Sequence, residues 1–178
     1  MIGLDRNGQR WIVTHRVDWL DPVFVWLSHI GAYGAVWLGL ALVAALLWRR
    51  SQLFLLVVAA ELVAELASLS LKYAIGRPRP PLRYPTPEPL VHVPGTPSFP
   101  SGHAATSFAC AAILAFAAPK LAVPLLALAS AIAFSRVYAG VHYPLDALGG
   151  AALGVAVATA LRLLVGDPRR SRRGLRGS

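Results

Sequence analysis

Three short stretches of the chain carry residue types suited to handling an anion and moving a proton. They are Lys72-Tyr-Ala-Ile-Gly-Arg-Pro-Arg79-Pro80, Pro100-Ser101-Gly102-His103, and a third holding Ser135-Arg136, His142 and Asp146. In the first, Lys72 closes a helix and Gly76 and Pro78 break it, so Arg79 can turn inward. Fixed cations of this kind stabilise the charge that a phosphoryl group spreads over its equatorial oxygens during transfer. Lys72, Arg77 and Arg83 equally suit anchoring to lipid headgroups by snorkelling.

In the second stretch, Pro100 and Gly102 allow a tight turn and Ser101 can cap the helix that follows. The free N–H groups and dipole of a helix N-terminus attract phosphate, and His103 lies within reach of the same anion. The bland alternative is an ordinary helix start with an interfacial histidine.

In the third stretch, Arg136 is a further clamp. Asp146 follows His142 by four residues and can accept the imidazole Nδ1 proton, leaving Nε2 as a nucleophile. Pro144 favours a first helical position, so His142 precedes the helix and the pair is not a simple helical one. Asp146 also suits a plain helix-start acid.

These stretches need a scaffold that brings them to one place, and the apolar runs provide one. Hydrophobic residues make up 56% of the 178 and charged residues 14%, too apolar for an ordinary soluble domain of this size. Pro22–Trp48 holds no Asp, Glu, Lys or Arg, and as one helix would reach about 40 Å, enough to span a bilayer with tilt. Further spans are expected from about Leu53 to Ile75, from Gly102 to Pro119–Lys120, from Leu121 to about Ser135, and from about Leu145 to Val165. The fourth is short, and neighbouring turns can extend it. The expected fold is an all-α polytopic membrane helix bundle of about five transmembrane helices. Residues 1–21 form an N-terminal amphipathic segment at the interface, 22–166 the membrane-embedded domain, and 167–178 a basic cytoplasmic tail without fixed structure.

With five spans, the end of the second, the start of the third and the turn between the fourth and fifth all fall on one side. The three chemical stretches therefore converge at one depth. Between spans two and three, Pro80 to Pro100 contains eight prolines. That segment resists regular helix and reads as a lid or rim over the site.

Together the stretches resemble the signature of the type 2 phosphatidic-acid phosphatase superfamily, histidine-dependent lipid phosphatases. Lys72 is followed after six residues by Arg79-Pro80; then come Pro100-Ser101-Gly102-His103; then Ser135-Arg136, five residues, His142, three residues and Asp146. The resemblance implies a lipid phosphate substrate and a phosphohistidine formed on His142. It makes Asp146 the orienting group and His103 the acid that protonates the leaving oxygen and then activates water. Lys72, Arg79, Ser101, the Gly102 amide and Arg136 would hold the phosphoryl oxygens. Membrane members of that family commonly have six spans, against the five counted here. The family also includes soluble vanadate haloperoxidases, an activity the apolar spans argue against.

No metal or other cofactor is expected. Mg²⁺ prefers carboxylate oxygens, and the only acid in the three motifs is Asp146. The formal charge of +9 comes from 17 Lys and Arg against 8 acids; beside apolar spans it points to anionic lipid and away from nucleic acid. Glu61, Glu65, Ser68 and Lys72 share one helix face, either for hydrogen bonding to a neighbouring helix or for a link from Glu65 to Lys72. Gly150 and Gly154 favour close helix approach within the chain, and Cys110 reads as a packing residue.

The reading is a phosphatase acting on a phospholipid or on a polyprenyl phosphate or diphosphate. A phosphotransferase using an acceptor other than water, or a non-catalytic lipid-phosphate binder, are the rivals. Arg49–Arg50 and the tail arginines mark the cytoplasmic side of a bacterial plasma membrane, so the site should face away from the cytoplasm.

Overall fold

The computed structural model describes residues 2–165; the basic tail expected at 167–178 lies outside them. The described chain is helical without strands. The helices are α1 (Ile2–Thr14), α2 (Asp21–Ile30), α3 (Ala35–Trp48), α4 (Ser51–Ile75), α5 (Pro80–Arg83), α6 (Gly102–Ala117), α7 (Ala122–Tyr138) and α8 (Pro144–Val165).

All five apolar runs become helices, with one correction. The first run is not one rod: α2 and α3 meet at a bend of 60° around the 3-10 turn Ala32–Gly34. Gly34 there is left-handed, at φ 63°, which costs a residue without Cβ little. The bend also lets α4 approach, because a side chain at Gly34 would collide with the Glu61 carboxylate. Composition alone could not reveal this, since the run contains neither proline after Pro22 nor charge.

By length and apolarity, residues 51–83, Pro119–Tyr138 and Pro144–Val165 can each cross a bilayer, and the bent α2–α3 pair makes a fourth candidate. The fourth run reaches 20 residues because the 3-10 turn Pro119–Leu121 extends α7. The central helix α6 has only 16 residues. It is wrapped by α4, α7 and α8, and eleven of its residues are buried, so its surroundings are protein for most of its length.

Small residues set this packing. Ala104, Ala105 and Ala109 of α6 are fully buried, and α8 lies against them through Gly150 and Gly154. A Cβ on Gly154 would run into the Ala105 carbonyl and come within 2.8 Å of the Ala109 nitrogen. The two glycines thus serve packing within the chain. Trp37 ties α3 to the centre by donating to Ser107 Oγ at 3.0 Å. Cys110 is buried, with its thiol 3.2 Å from Glu61 Oε2.

The proline-rich segment keeps an irregular path after the single turn of α5, an exception to the expected absence of helix. Prolines at the first two positions of that turn lose no hydrogen bond there. Helix α1 lies beside this segment. Arg6 Nη1 donates to the Tyr84 hydroxyl at 3.3 Å, Arg10 Nη1 donates to the Thr86 carbonyl, and Arg16 Nη1 donates to the Glu88 carbonyl at 2.7 Å. Asp5, Gln9 and Val13, four residues apart, form the buried face of α1, while Leu4 and Trp11 stay exposed.

Candidate active site

The end of α4, the start of α6, the end of α7 and the start of α8 meet at one end of the bundle, as the spans require. Lys72, Arg79, Gly102, His103, Arg136 and His142 line a common cavity of about 550 Å³. Ser101 and Asp146 are fully buried just behind its wall.

His142 sits in the turn before α8. Its Nδ1 faces Asp146 Oδ2 at 3.3 Å, and its Nε2 is 3.0 Å from Arg79 Nη1. A guanidinium can only donate, so Nε2 accepts and Nδ1 carries the proton. The tautomer is therefore set from both sides. Burial pushes the imidazole down to about 3, against the opposing hydrogen bond with Asp146, so the ring is neutral at pH 7 with its Nε2 lone pair available.

Asp146 is held on every side. Its Oδ2 also accepts from the Tyr143 amide at 2.8 Å and from the Ser98 hydroxyl, and its Oδ1 accepts from Arg77 Nη1 at 2.6 Å. The bond to Tyr143 N shows the acid capping its own helix while it engages His142. The same oxygen thus meets both the helix end and the histidine ring.

The cations are aimed by the proline-rich segment. Lys72 Nζ donates to the Pro100 carbonyl at 2.5 Å and to the Pro97 carbonyl at 3.3 Å. Arg79 Nε and Nη2 are occupied by the Thr96 carbonyl at 2.7 Å and the Thr96 hydroxyl at 3.1 Å, which leaves Nη1 for Val141 O and His142. Arg136 reaches Ser28 Oγ on α2 through Nη1, while its Nε is buried without a partner. An orphaned buried donor carries an energetic cost that an incoming anion relieves.

Ser101 departs from the expected pattern. It heads α6 with its Oγ accepting from Ala104 N at 3.5 Å, and it does not line the cavity. Its hydroxyl proton is not committed by that bond. Glu65 acts on Lys72 electrostatically, without a direct hydrogen bond; its carboxylate lies in the cavity wall near Gly102. Among the described residues no group of three or more His, Cys, Asp or Glu is gathered as metal ligands would be.

Residues 52–170 match the PAP2 superfamily, about two-thirds of the chain and every one of the three chemical stretches. The chain belongs to the PAP2 superfamily. This PAP2 chain is 38% identical over 148 residues to the decaprenylphosphoryl-5-phosphoribose phosphatase of Mycobacterium tuberculosis, covering 83% of this chain and 81% of that one. It is 37% identical over 111 residues to the lipid A 1-phosphatase of Rhizobium johnstonii, covering 60% and 44%. Its fold superposes on the transmembrane PAP2-type phosphatidylglycerolphosphate phosphatase of Bacillus subtilis with a TM-score of 0.73 at 29% identity, over 91% of this chain and 84% of that one. For Aquifex aeolicus LpxE the TM-score is 0.76 at 27% identity, over 87% and 92%.

The motif residues of this PAP2 bundle were legible in sequence. Ser28, Thr96, Ser98, Arg77 and Asp5 were not assigned to the site. The first four each hydrogen-bond a motif residue distant in the chain, and Asp5 reaches Asp146 only through Arg77, so no local spacing announces them.

Proposed function

We propose that this protein is an integral bacterial membrane phosphatase that removes a terminal phosphate from a lipid phosphate by way of a phosphohistidine. The observation that carries the reading is the placing of His142, its Nδ1 on Asp146 and its Nε2 accepting from Arg79 at 3.0 Å, on a cavity edged by Lys72, Arg79 and Arg136. His142 Nε2 attacks phosphorus while the cations and the Gly102 amide at the head of α6 take the equatorial oxygens. Asp146 holds the ring and stabilises the charge it gains. His103, across the cavity, protonates the leaving oxygen and then draws a proton from the water that cleaves the P–N bond.

A lipid phosphate suits the shape of the cavity. Beyond the cations it is lined by Leu62 and Val58 of α4 and Leu38 of α3, a wall for a hydrocarbon tail, with Glu61 and Glu65 of α4 beside them. The relatives' names are consistent with this class. They span sugar-bearing and isoprenoid lipids, so phospholipid, polyprenyl-phosphosugar phosphate and polyprenyl diphosphate are the substrates to compare.

Purified protein in detergent should release inorganic phosphate from at least one of these, unchanged in excess EDTA, because the described residues gather no three His, Cys, Asp or Glu as Mg²⁺ ligands would be gathered. Vanadate should inhibit by mimicking the five-coordinate transition state. Turnover lost in EDTA and restored by Mg²⁺ would contradict metal independence. Transfer to an added alcohol with no release to water would favour a phosphotransferase.

The site is proposed to face away from the cytoplasm. Arg6, Arg10, Arg16 and Arg77, on the active-site side, are bound by groups of the chain itself, which leaves Arg83 there. Arg49, Arg50 and Lys120 at the opposite end outnumber it and carry the topological signal. With Cys110→Ala as background, an impermeant maleimide applied to intact cells should label a cysteine placed at Thr86 and spare one placed at Ser51. The reverse pattern turns the enzyme inward.

A further inference from the structure

The catalytic carboxylate is tied to a helix that lies outside the family match. Arg77 Nη1 donates to Asp146 Oδ1 at 2.6 Å, and Arg77 Nη2 pairs with Asp5 Oδ2 on α1. Asp5 Oδ1 in turn accepts from the Leu145 amide at 2.8 Å, one of the free N–H groups at the head of α8. The Arg77 guanidinium also stacks 4.1 Å from the centroid of the Tyr143 ring. Asp5 is 5% exposed and Asp146 0%, and Arg77 forms a direct ion pair with each of them.

We propose that Arg77, braced by Asp5 of α1, is a positioning residue for phosphoryl transfer, holding Asp146 so that its second oxygen faces His142 Nδ1. This rests on the reading of Asp146 as the group that orients His142. Arg77 grips Oδ1 and thereby fixes the rotation of the carboxylate, while Oδ2 stays with His142, Ser98 and the Tyr143 amide. A guanidinium fork can serve two carboxylates at once in a fixed plane; a lysine ammonium lacks that plane. Asp5 adds a second constraint by capping α8 through Leu145, so α1 sets both the helix that carries Asp146 and the arginine that aims it.

Arg77 does not touch the phosphate cavity. It lines a separate groove with Arg6, Arg83 and Tyr143 on the far side of Asp146. Its loss should therefore reach the chemical step through His142 and leave phosphate binding alone. Misaligned outer partners of a reacting group typically cost about 10- to 100-fold in activity.

The test uses the full chain in detergent, with Arg77→Ala, Arg77→Lys and Asp5→Asn beside Asp146→Asn. Helix content and melting temperature identify the folded variants. Arg77→Ala should lower kcat about 10- to 100-fold, with KM and the inhibition constant for inorganic phosphate within about twofold of wild type. Arg77→Lys should recover part of kcat, and Asp5→Asn should lose less than Arg77→Ala. If Arg77→Ala does not fold, the same split between kcat and inorganic phosphate affinity in folded Arg77→Lys and Asp5→Asn decides. Wild-type kcat in the folded Arg77 and Asp5 variants overturns the proposal, as does a loss of inorganic phosphate affinity in step with kcat, which would make Arg77 a phosphate ligand. If Asp146→Asn keeps the wild-type rate, the orienting reading itself fails. If Asp146→Asn is inactive and the Arg77 variants are not, only the role of Arg77 fails.

Discussion

Replacing His142 by Ala should reduce phosphate release to background, a loss of at least about three orders of magnitude, the scale seen when a covalent nucleophile is removed. Its Nε2 is the acceptor nitrogen, and Arg79 lies against it at 3.0 Å. The paired acid should behave differently. His103 lines the same cavity, and its loss removes the proton donor for the leaving group and the base for water. With a substrate whose leaving group needs no protonation, His103→Ala should still form phosphoenzyme and then stall. Acid-labile, base-stable radiolabel retained on His103→Ala and absent from His142→Ala would be the signature. A His142→Ala protein with the wild-type rate would end the covalent mechanism.

Removing Arg79 should cost nearly as much. Its Nε and Nη2 are spent on Thr96, and its Nη1 points at the nucleophile. That Nη1 lies on the nitrogen that attacks in the proposed mechanism, where a phosphoryl oxygen that takes over the donor would free the histidine. The same atom thus guards the nucleophile and stabilises the transition state. Arg79→Ala should lower kcat/KM by about 10²- to 10³-fold, the range for losing one donor to a developing anion. It should weaken inhibition by both vanadate and inorganic phosphate in parallel, the second in contrast with Arg77. Arg79→Lys keeps the charge and loses the Thr96 clamp, so it should fall between the two and show whether the loss reflects charge or aim. Steady-state kinetics with vanadate competition checks both variants. Unchanged vanadate affinity in Arg79→Ala would remove Arg79 from the phosphate site.

The contrast between Arg77 and Arg79, two residues apart, shows where sequence reasoning stopped. Both fit headgroup anchoring or phosphate binding by composition. Only the path of the backbone after Gly76, left-handed at φ 65°, sends one into the cavity and the other behind Asp146. The same holds for the first apolar run. Its continuous hydropathy reads as one span, and the 60° bend comes from how Gly31 and Gly34 meet Ile132 and Glu61 on other helices.

The amino-acid sequence by itself determined that the chain is a helical membrane bundle, because long uncharged runs leave the backbone no other way to satisfy its hydrogen bonds in lipid. It also determined that Lys72, Arg79, His103, Arg136, His142 and Asp146 share one end of that bundle, since alternating spans return their ends to the same side. Pro144 placed His142 ahead of α8. Tertiary structure alone decided how those side chains are held. Lys72 and Arg79 bind backbone carbonyls of Pro97, Pro100 and Thr96, and every residue has a carbonyl, so no residue type marks the partner. Asp5 reaches Leu145 and Arg77 across 140 and 72 positions, a contact that exists only once α1 has docked on the head of α8.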